Sequence, residues 1–310
     1  MRKLIWMFVL AGQLVTACAQ RDPADLFAPE AGTIVVDAFL IVGARLPDIV
    51  LTQTMAANVP YSRDGAALLG AQVVLSSELG AAVYASLADA PGTYVPQRGT
   101  MPDRVLAGVE YTLDVYAADG RRVRAMTRTP QPFTVADWLL LDDAGNTVQR
   151  RLATFEEYGD SVFTRAENQL DYAQGLLEAR FDPAGILGLQ VGLFSRSPGS
   201  PLVIDPDLVD DEEELDRVNS SPPFEPSEGT VRLPWFAIFY EGKYVLKIWT
   251  MDVNWLDLAR TDPVLSGGGF GFGGQAGDDF ERPLFHIEGG IGLFGSGAVD
   301  SIGVVVLPRP

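Results

Sequence analysis

Apolar and polar side chains alternate with a period of two through the first third of the chain, the pattern of half-buried strands. Thr33-Ile-Val-Val-Asp-Ala-Phe-Leu-Ile41 predicts one strand and Asp48–Thr54 a second. Ala71–Ser77 and Ala82–Ser86 follow, on either side of Leu79-Gly80, and Gly92–Val95 adds a short, turn-flanked piece. Glu110–Ala117 and Arg121–Arg128 flank Asp119-Gly120, a dipeptide that suits a tight hairpin. Seven short strands in so little chain predict a sandwich of immunoglobulin-like or transthyretin-like type over residues 31–131. Of the basic residues in the last strand, Arg122, Arg124 and Arg128 share one face. They read either as an anion patch or as a solvated outer face, the ordinary role of such a surface.

Pro130-Gln-Pro132 closes that unit, and residues 132–310 predict a second β-rich domain with a short helix. Its strand-like runs are Trp138–Leu141, Leu176–Phe181, Leu187–Phe194, Trp235–Tyr240, Lys243–Trp249 and Ile302–Leu307. In Asp252–Arg260, Trp255, Leu256 and Ala259 fall on one side of a helix that Asp252 can cap. Two stretches break the pattern. One is an acidic loop over residues 195–230, carrying eight carboxylates between Asp205 and Asp216; the other is a glycine loop, Gly267–Gly274. The acidic stretch fails the EF-hand pattern: counted from Asp205, the sixth position is Asp210 where glycine is needed and the twelfth is Asp216 where glutamate is needed. A mobile loop or a short helix is the plainer expectation.

The N-terminus has a different character. Arg2 and Lys3 precede an apolar stretch from Leu4 to Leu14 that is broken by Gly12 and Gln13. It is shorter than the roughly 20 residues a membrane span needs, and it suits a secretory signal over residues 1–17. Leu14-Val-Thr-Ala-Cys18 then resembles a bacterial lipobox. Small side chains admit the signal peptidase, and the thiol of Cys18 can carry a diacylglyceryl group, with further acylation of the new amino terminus giving a stable anchor. An ordinary secretory signal with an incidental cysteine is the competing reading. Cys18 is the sole cysteine, so no disulfide can form within the chain. Ala19-Gln20, with no aspartate after the cysteine, resembles the Gram-negative pattern for outer-membrane sorting, and residues 18–30 read as a tether. The periplasmic and cell-surface faces both remain open.

Charge narrows the partners. The whole chain carries −18, and −20 once residues 1–17 are removed. Such a surface repels phosphate backbones, so nucleic acid is not an expected partner; solubility, or attraction of cations and basic partners, accounts for the excess. With one histidine and one cysteine, metal clusters of those ligands cannot form, and no metal or other cofactor is expected. No G-x-S-x-G occurs, and a serine triad would have to use His286, which stands alone before a glycine-rich turn. Gly290-Ile-Gly292-Leu-Phe-Gly295 is a literal G-x-G-x-x-G. Only 15 residues follow it, which leaves no room for the helix, strand and acidic residue of a dinucleotide site. No catalytic residue is assigned. A carboxylate pair of the glycosidase kind cannot be picked out among 41 acidic residues.

Several stretches together resemble a known family: the lipobox, Thr33–Leu40, "GAQVVLSSELG", "GVEYTLDVYAADGRRVRA", "KIWTMDVNWLDLAR" and the terminal "HIEGGIGLFGSGAVDSIGVVV". The family is a group of lipoproteins of Bacteroidota and relatives known as domain of unknown function 4249. The resemblance covers most of residues 18–310 and is most specific at Glu288–Gly295; His286 departs from it, since an Asn is expected there. It implies no activity and no catalytic residues. It implies an outer-membrane lipoprotein, often encoded beside TonB-dependent receptors. The expectation is a lipid-anchored, non-catalytic envelope protein that serves such a transporter as an accessory or ligand-binding partner. A structural or adhesion lipoprotein and a glycan hydrolase are the alternatives.

Overall fold

The computed structural model describes residues 32–308 apart from 57, 98, 205–214, 227, 234 and 262–282. Cys18, the glycine loop and most of the acidic run therefore lie outside the described residues. Strand accounts for 46% and helix for 12%, so the chain is mainly β, with a large sheet, a second sheet and a short helix.

The alternating pattern of the first third forms seven strands: β1 (Ile34–Ile41), β2 (Ile49–Gln53), β3 (Gln72–Ser77), β4 (Gly80–Ser86), β5 (Thr93–Pro96), β6 (Glu110–Tyr116) and β7 (Arg122–Arg128). A single helical turn, α1 (Arg63–Ala66), sits between β2 and β3. The strands pair antiparallel in the order β1-β2-β5-β4-β3-β6-β7. Alternate residues point inward, as the period of two requires. Val36, Leu51, Leu75, Leu113 and Val123 are at most 1% exposed and make one core. Strand β7 shows the pattern most cleanly: Val123, Ala125 and Thr127 are buried while Arg122, Arg124 and Arg128 face out.

The second lobe begins with β8 (Asp137–Leu141) and β9 (Val148–Arg151). Helix α2 (Phe155–Tyr158) follows, started by a capping box of Thr154 and Glu157, and leads into 3-10 turns at Gly159–Thr164 and Ala166–Asn168. Next come β10 (Gln169–Asp171), β11 (Leu176–Arg180), β12 (Gly188–Ser195), β13 (Val218–Ser220), β14 (Thr230–Leu233) and β15 (Gly242–Met251). Helix α3 (Val253–Thr261), the two-residue β16 (Ile287–Glu288) and β17 (Gly290–Leu307) complete the order. Strands β14-β11-β8-β9 form the smaller sheet, and β13-β12-β15-β17 with β10 form the second-lobe part of the large sheet, which continues through β1 into the first lobe. Trp138, Leu177, Leu189, Leu246 and Ile302, drawn from both sheets, share the second core.

Elements appear that the sequence pattern does not show, among them β9, β10 and α2, and β13 pairs with β12 inside the stretch read as an acidic loop; two of the predicted elements also take another form. Trp235–Tyr240 is not a strand. Trp235–Ala237 is a 3-10 turn, closed by Ile238 N–H donating to the Trp235 carbonyl at 2.9 Å. Tertiary contacts set this local shape: the Trp235 indole N–H donates to the Gly175 carbonyl at 2.6 Å, and its ring meets Tyr172 edge to face. The last strand is also far longer than Ile302–Leu307. β17 begins at Gly290, and its first half pairs parallel with β1, from Ile34 beside Gly290 to Ile41 beside Gly297. Its second half pairs antiparallel with β15. One strand thus runs along both lobes. At its start, β16 pairs with β7, and Gly289 alone separates β16 from β17. The two ends of the first lobe's ladder are joined by the chain itself.

Candidate functional site

Three elements converge where the lobes meet: the end of β7, the joint between β15 and α3, and the middle of β17. Asp252 occupies the centre and is 4% exposed. One carboxylate oxygen accepts from the Trp255 N–H at 3.0 Å and caps α3, as the sequence predicts for this residue. The other accepts from the Thr127 hydroxyl. Thr127 in turn lies 2.8 Å from the Ser296 hydroxyl, which donates to the Arg128 carbonyl at 3.3 Å. Asn254 adds a second clamp, its amide donating to the Met126 carbonyl at 2.6 Å and the Phe294 carbonyl at 2.8 Å. Both hydroxyls and both carboxylate oxygens are satisfied, which is the condition for burying a polar network without a large penalty. Burial pushes the Asp252 carboxyl up from its ordinary range, against the pull of hydrogen bonds from Thr127 and the helix start.

Around this network lies a cleft of about 680 Å³. Its walls are the interlobe segment Thr129–Thr134, the loop Asp182–Leu187 and the Thr250–Val253 joint. Phe133 is fixed edge to face on Phe181, at 5.5 Å between ring centres. Leu187 and Val253 are about half exposed, so the lining offers apolar surface to an occupant. Arg128 and Asp182 supply opposite charges, and Arg128 is drawn toward Glu110 at 3.7 Å. A preformed apolar cleft with a few polar groups is the usual form of a small-ligand site. Asp252 reaches it with both oxygens already engaged, as a cap and a tie between lobes.

The residues singled out by sequence fall elsewhere. His286 Nε2 lies 2.8 Å from the Asp257 carboxylate of α3, so the one histidine ties the approach of β16 to that helix. The glycines of Glu288–Gly295 shape backbone. Gly289 has φ +75°, and a Cβ there would strike the Arg122 carbonyl; Gly292 has φ +105°, and its Cβ would strike the Val36 carbonyl. The motif is a turn followed by a strand laid tightly on β1. In the arginine group, Arg121 pairs with Asp119, Arg122 with Asp114 at 2.7 Å, and Arg128 with Glu110. These pairs balance an outer face of β7. Among the described residues, no group of three or more His, Cys, Asp or Glu could hold a metal ion, and no helix is long and apolar enough to cross a membrane. Thr127, Ser296 and Asn254 escaped the sequence reading. An inward threonine on β7 was legible from alternation, but its partners are far away in sequence.

No family model matches the chain, and no curated protein sequence matches it. Among solved structures it is similar to part of the native form of E. coli alpha-2-macroglobulin, with 9% identity over 91% of this chain and 25% of that one, and a TM-score of 0.20. The chain spans about a quarter of that protein's length. A likeness at this level carries no argument about fold or function.

Proposed function

We propose that the chain is a lipid-anchored, non-catalytic protein of the outer membrane that captures a ligand as an accessory of a TonB-dependent transporter. The ligand-capturing part rests on the cleft between the lobes, two of whose walls, Thr129–Thr134 and Thr250–Val253, adjoin elements locked together through Asp252, Thr127 and Asn254. Preformed walls reduce the ordering cost of binding. The anchoring part rests on Leu14–Cys18, and the transporter on the resemblance carried by Glu288–Gly295. The non-catalytic part is supported by Asp252, the buried carboxylate at the cleft, because each of its oxygens is engaged by a group of the fold.

Cys18→Ser is expected to move the protein from the membrane to the soluble fraction; retention in the membrane would remove the lipid anchor from this reading. Affinity capture of the tagged wild type from detergent-solubilised membranes is expected to bring down a TonB-dependent receptor. Capture without any such receptor would remove the transporter.

A further inference from the structure

A second concave site lies on the outer face of the second lobe, away from the interlobe cleft. It is a groove of about 350 Å³ lying across strands β12, β15 and β17. Its floor follows from the strand register. Phe194, Val245 and Gly303 stand side by side on neighbouring strands, and Gly192, Lys247 and Ser301 form the next row. Two glycines make the walls possible. A Cβ on Gly303 would lie 2.9 Å from the Phe155 and Phe163 rings, and one on Gly192 would lie 2.7 Å from a ring carbon of Trp249. Aromatic rings therefore lie close over bare backbone on either side of Val245. Each wall is braced edge to face: Phe155 on Phe163 at 5.8 Å, and Phe194 on Trp249 at 5.7 Å.

The charge of this groove is opposite to that of the chain. The sequence has three lysines; of the two among the described residues, Lys247 lines the groove and Lys243 stands beside it, on the same face of β15 across Val245 and near the lining ring of Phe163. The Lys243 ammonium lies 5.4 Å from the Phe163 ring centre, and that of Lys247 lies 5.1 Å from Phe194. Arg196 joins them, with Asp160 as the one carboxylate in the lining. Among the described residues, no ion pair holds Arg196, Lys243 or Lys247. The rings orient the lysines by cation–π attraction and leave their donors available. Three unpaired cations gathered in a chain of net charge −18 are a local exception, and at physiological salt only charge within about 8 Å governs what binds there.

We propose that this groove binds a short carboxylated oligosaccharide. Aromatic walls suit the C–H faces of sugar rings. Lys247 lies four residue steps along the strand from Lys243, about 13 Å of β-strand, a spacing that fits carboxylates on separate sugar units of one chain better than the converging donors a single phosphate needs. Asp160 and Ser301 offer acceptors for sugar hydroxyls, which a bare phosphate lacks. The proposal is independent of the cleft, the lipid anchor and any transporter.

Isothermal titration of the purified full-length mature chain with tetragalacturonate tests it, with maltotetraose and inorganic phosphate as comparison ligands. Tetragalacturonate is expected to bind, more weakly as salt is added, and maltotetraose about tenfold more weakly or not at all. Lys247→Gln and Phe194→Ala, each with an unchanged circular dichroism spectrum, are expected to weaken uronate binding about tenfold. Arg124→Gln, on the outer face of β7, is expected to leave it unchanged. No uronate heat at roughly millimolar ligand, equal binding of maltotetraose or phosphate, an unaffected Lys247→Gln, or a loss in Arg124→Gln would each overturn the assignment.

Discussion

Asp252 ties β7, β15 and the start of α3 together, and its burial sets a definite pH sign. Its folded pKa is raised, so its favourable contribution is complete below the unfolded value of about 3.9 and is lost as pH rises through the folded value. Asn at 252 keeps the helix cap and removes the buried charge. It also keeps the hydroxyls satisfied by turning only Thr127: the new amide donates to Thr127, Thr127 donates to Ser296, and Ser296 still donates to the Arg128 carbonyl. Asp252→Asn should therefore gain stability relative to wild type as pH rises from 4 toward 8, read from urea midpoints across that range; a gain that grows toward acid pH would refute the sign. Thr127→Val takes away a donor without removing the carboxylate. It should cost about 1–3 kcal/mol at neutral pH, and the cost should shrink once Asp252 is protonated. A loss that is the same at every pH would mean that Thr127 contributes only packing.

At the scale of elements, glycine governs where a strand can lie. Gly292 has positive φ and no space for a Cβ against Val36, whereas Gly120, in the turn between β6 and β7, has φ +90° and nothing within 4 Å. Gly292→Ala should cost about 3 kcal/mol, because the strain of positive φ is joined by overlap with backbone. Gly120→Ala should cost about 1 kcal/mol. Denaturant midpoints measure both, and equal costs would show that close packing on β1 is unimportant. The same glycines explain what could be read from sequence. β1 to β7 were legible because Val, Ile, Leu and Tyr alternate with polar residues over each strand. The first half of β17 was not, because Gly290, Gly292, Gly295 and Gly297 lack the side chains that make a strand visible, and glycine is ordinarily depleted there. Asp252 as the cap of α3 was local and legible. Its bonds to Thr127 and Ser296 join distant segments, and alternation contains no information about pairing across the chain. Trp235 failed for a related reason: an aromatic run suits a strand, but its indole bond to Gly175 fixes a tight turn.

For the whole molecule, β17 makes the two lobes one thermodynamic unit. Its first half completes the ladder at β1 and contributes Phe294 to the first core; its second half contributes Ile302, Val304 and Val306 to the second. Calorimetry should therefore show one unfolding transition, with calorimetric and van't Hoff enthalpies in agreement. Two separable peaks would mean that the lobes unfold independently. Residues 32–131 expressed alone should show no cooperative urea transition, since β1 then has an open edge where β17 belongs. The shared strand also has a consequence in time. A ribosome makes β1 256 residues before its parallel neighbour (Ile34 to Gly290), so the nascent first lobe carries an exposed strand edge while all of that intervening chain is made. Such an edge can recruit the wrong strand, and pairing across so long a loop is slow. The polypeptide is thus most vulnerable to mispairing until Gly290–Gly297 arrives, and holding factors that cover open β edges would matter most in that interval.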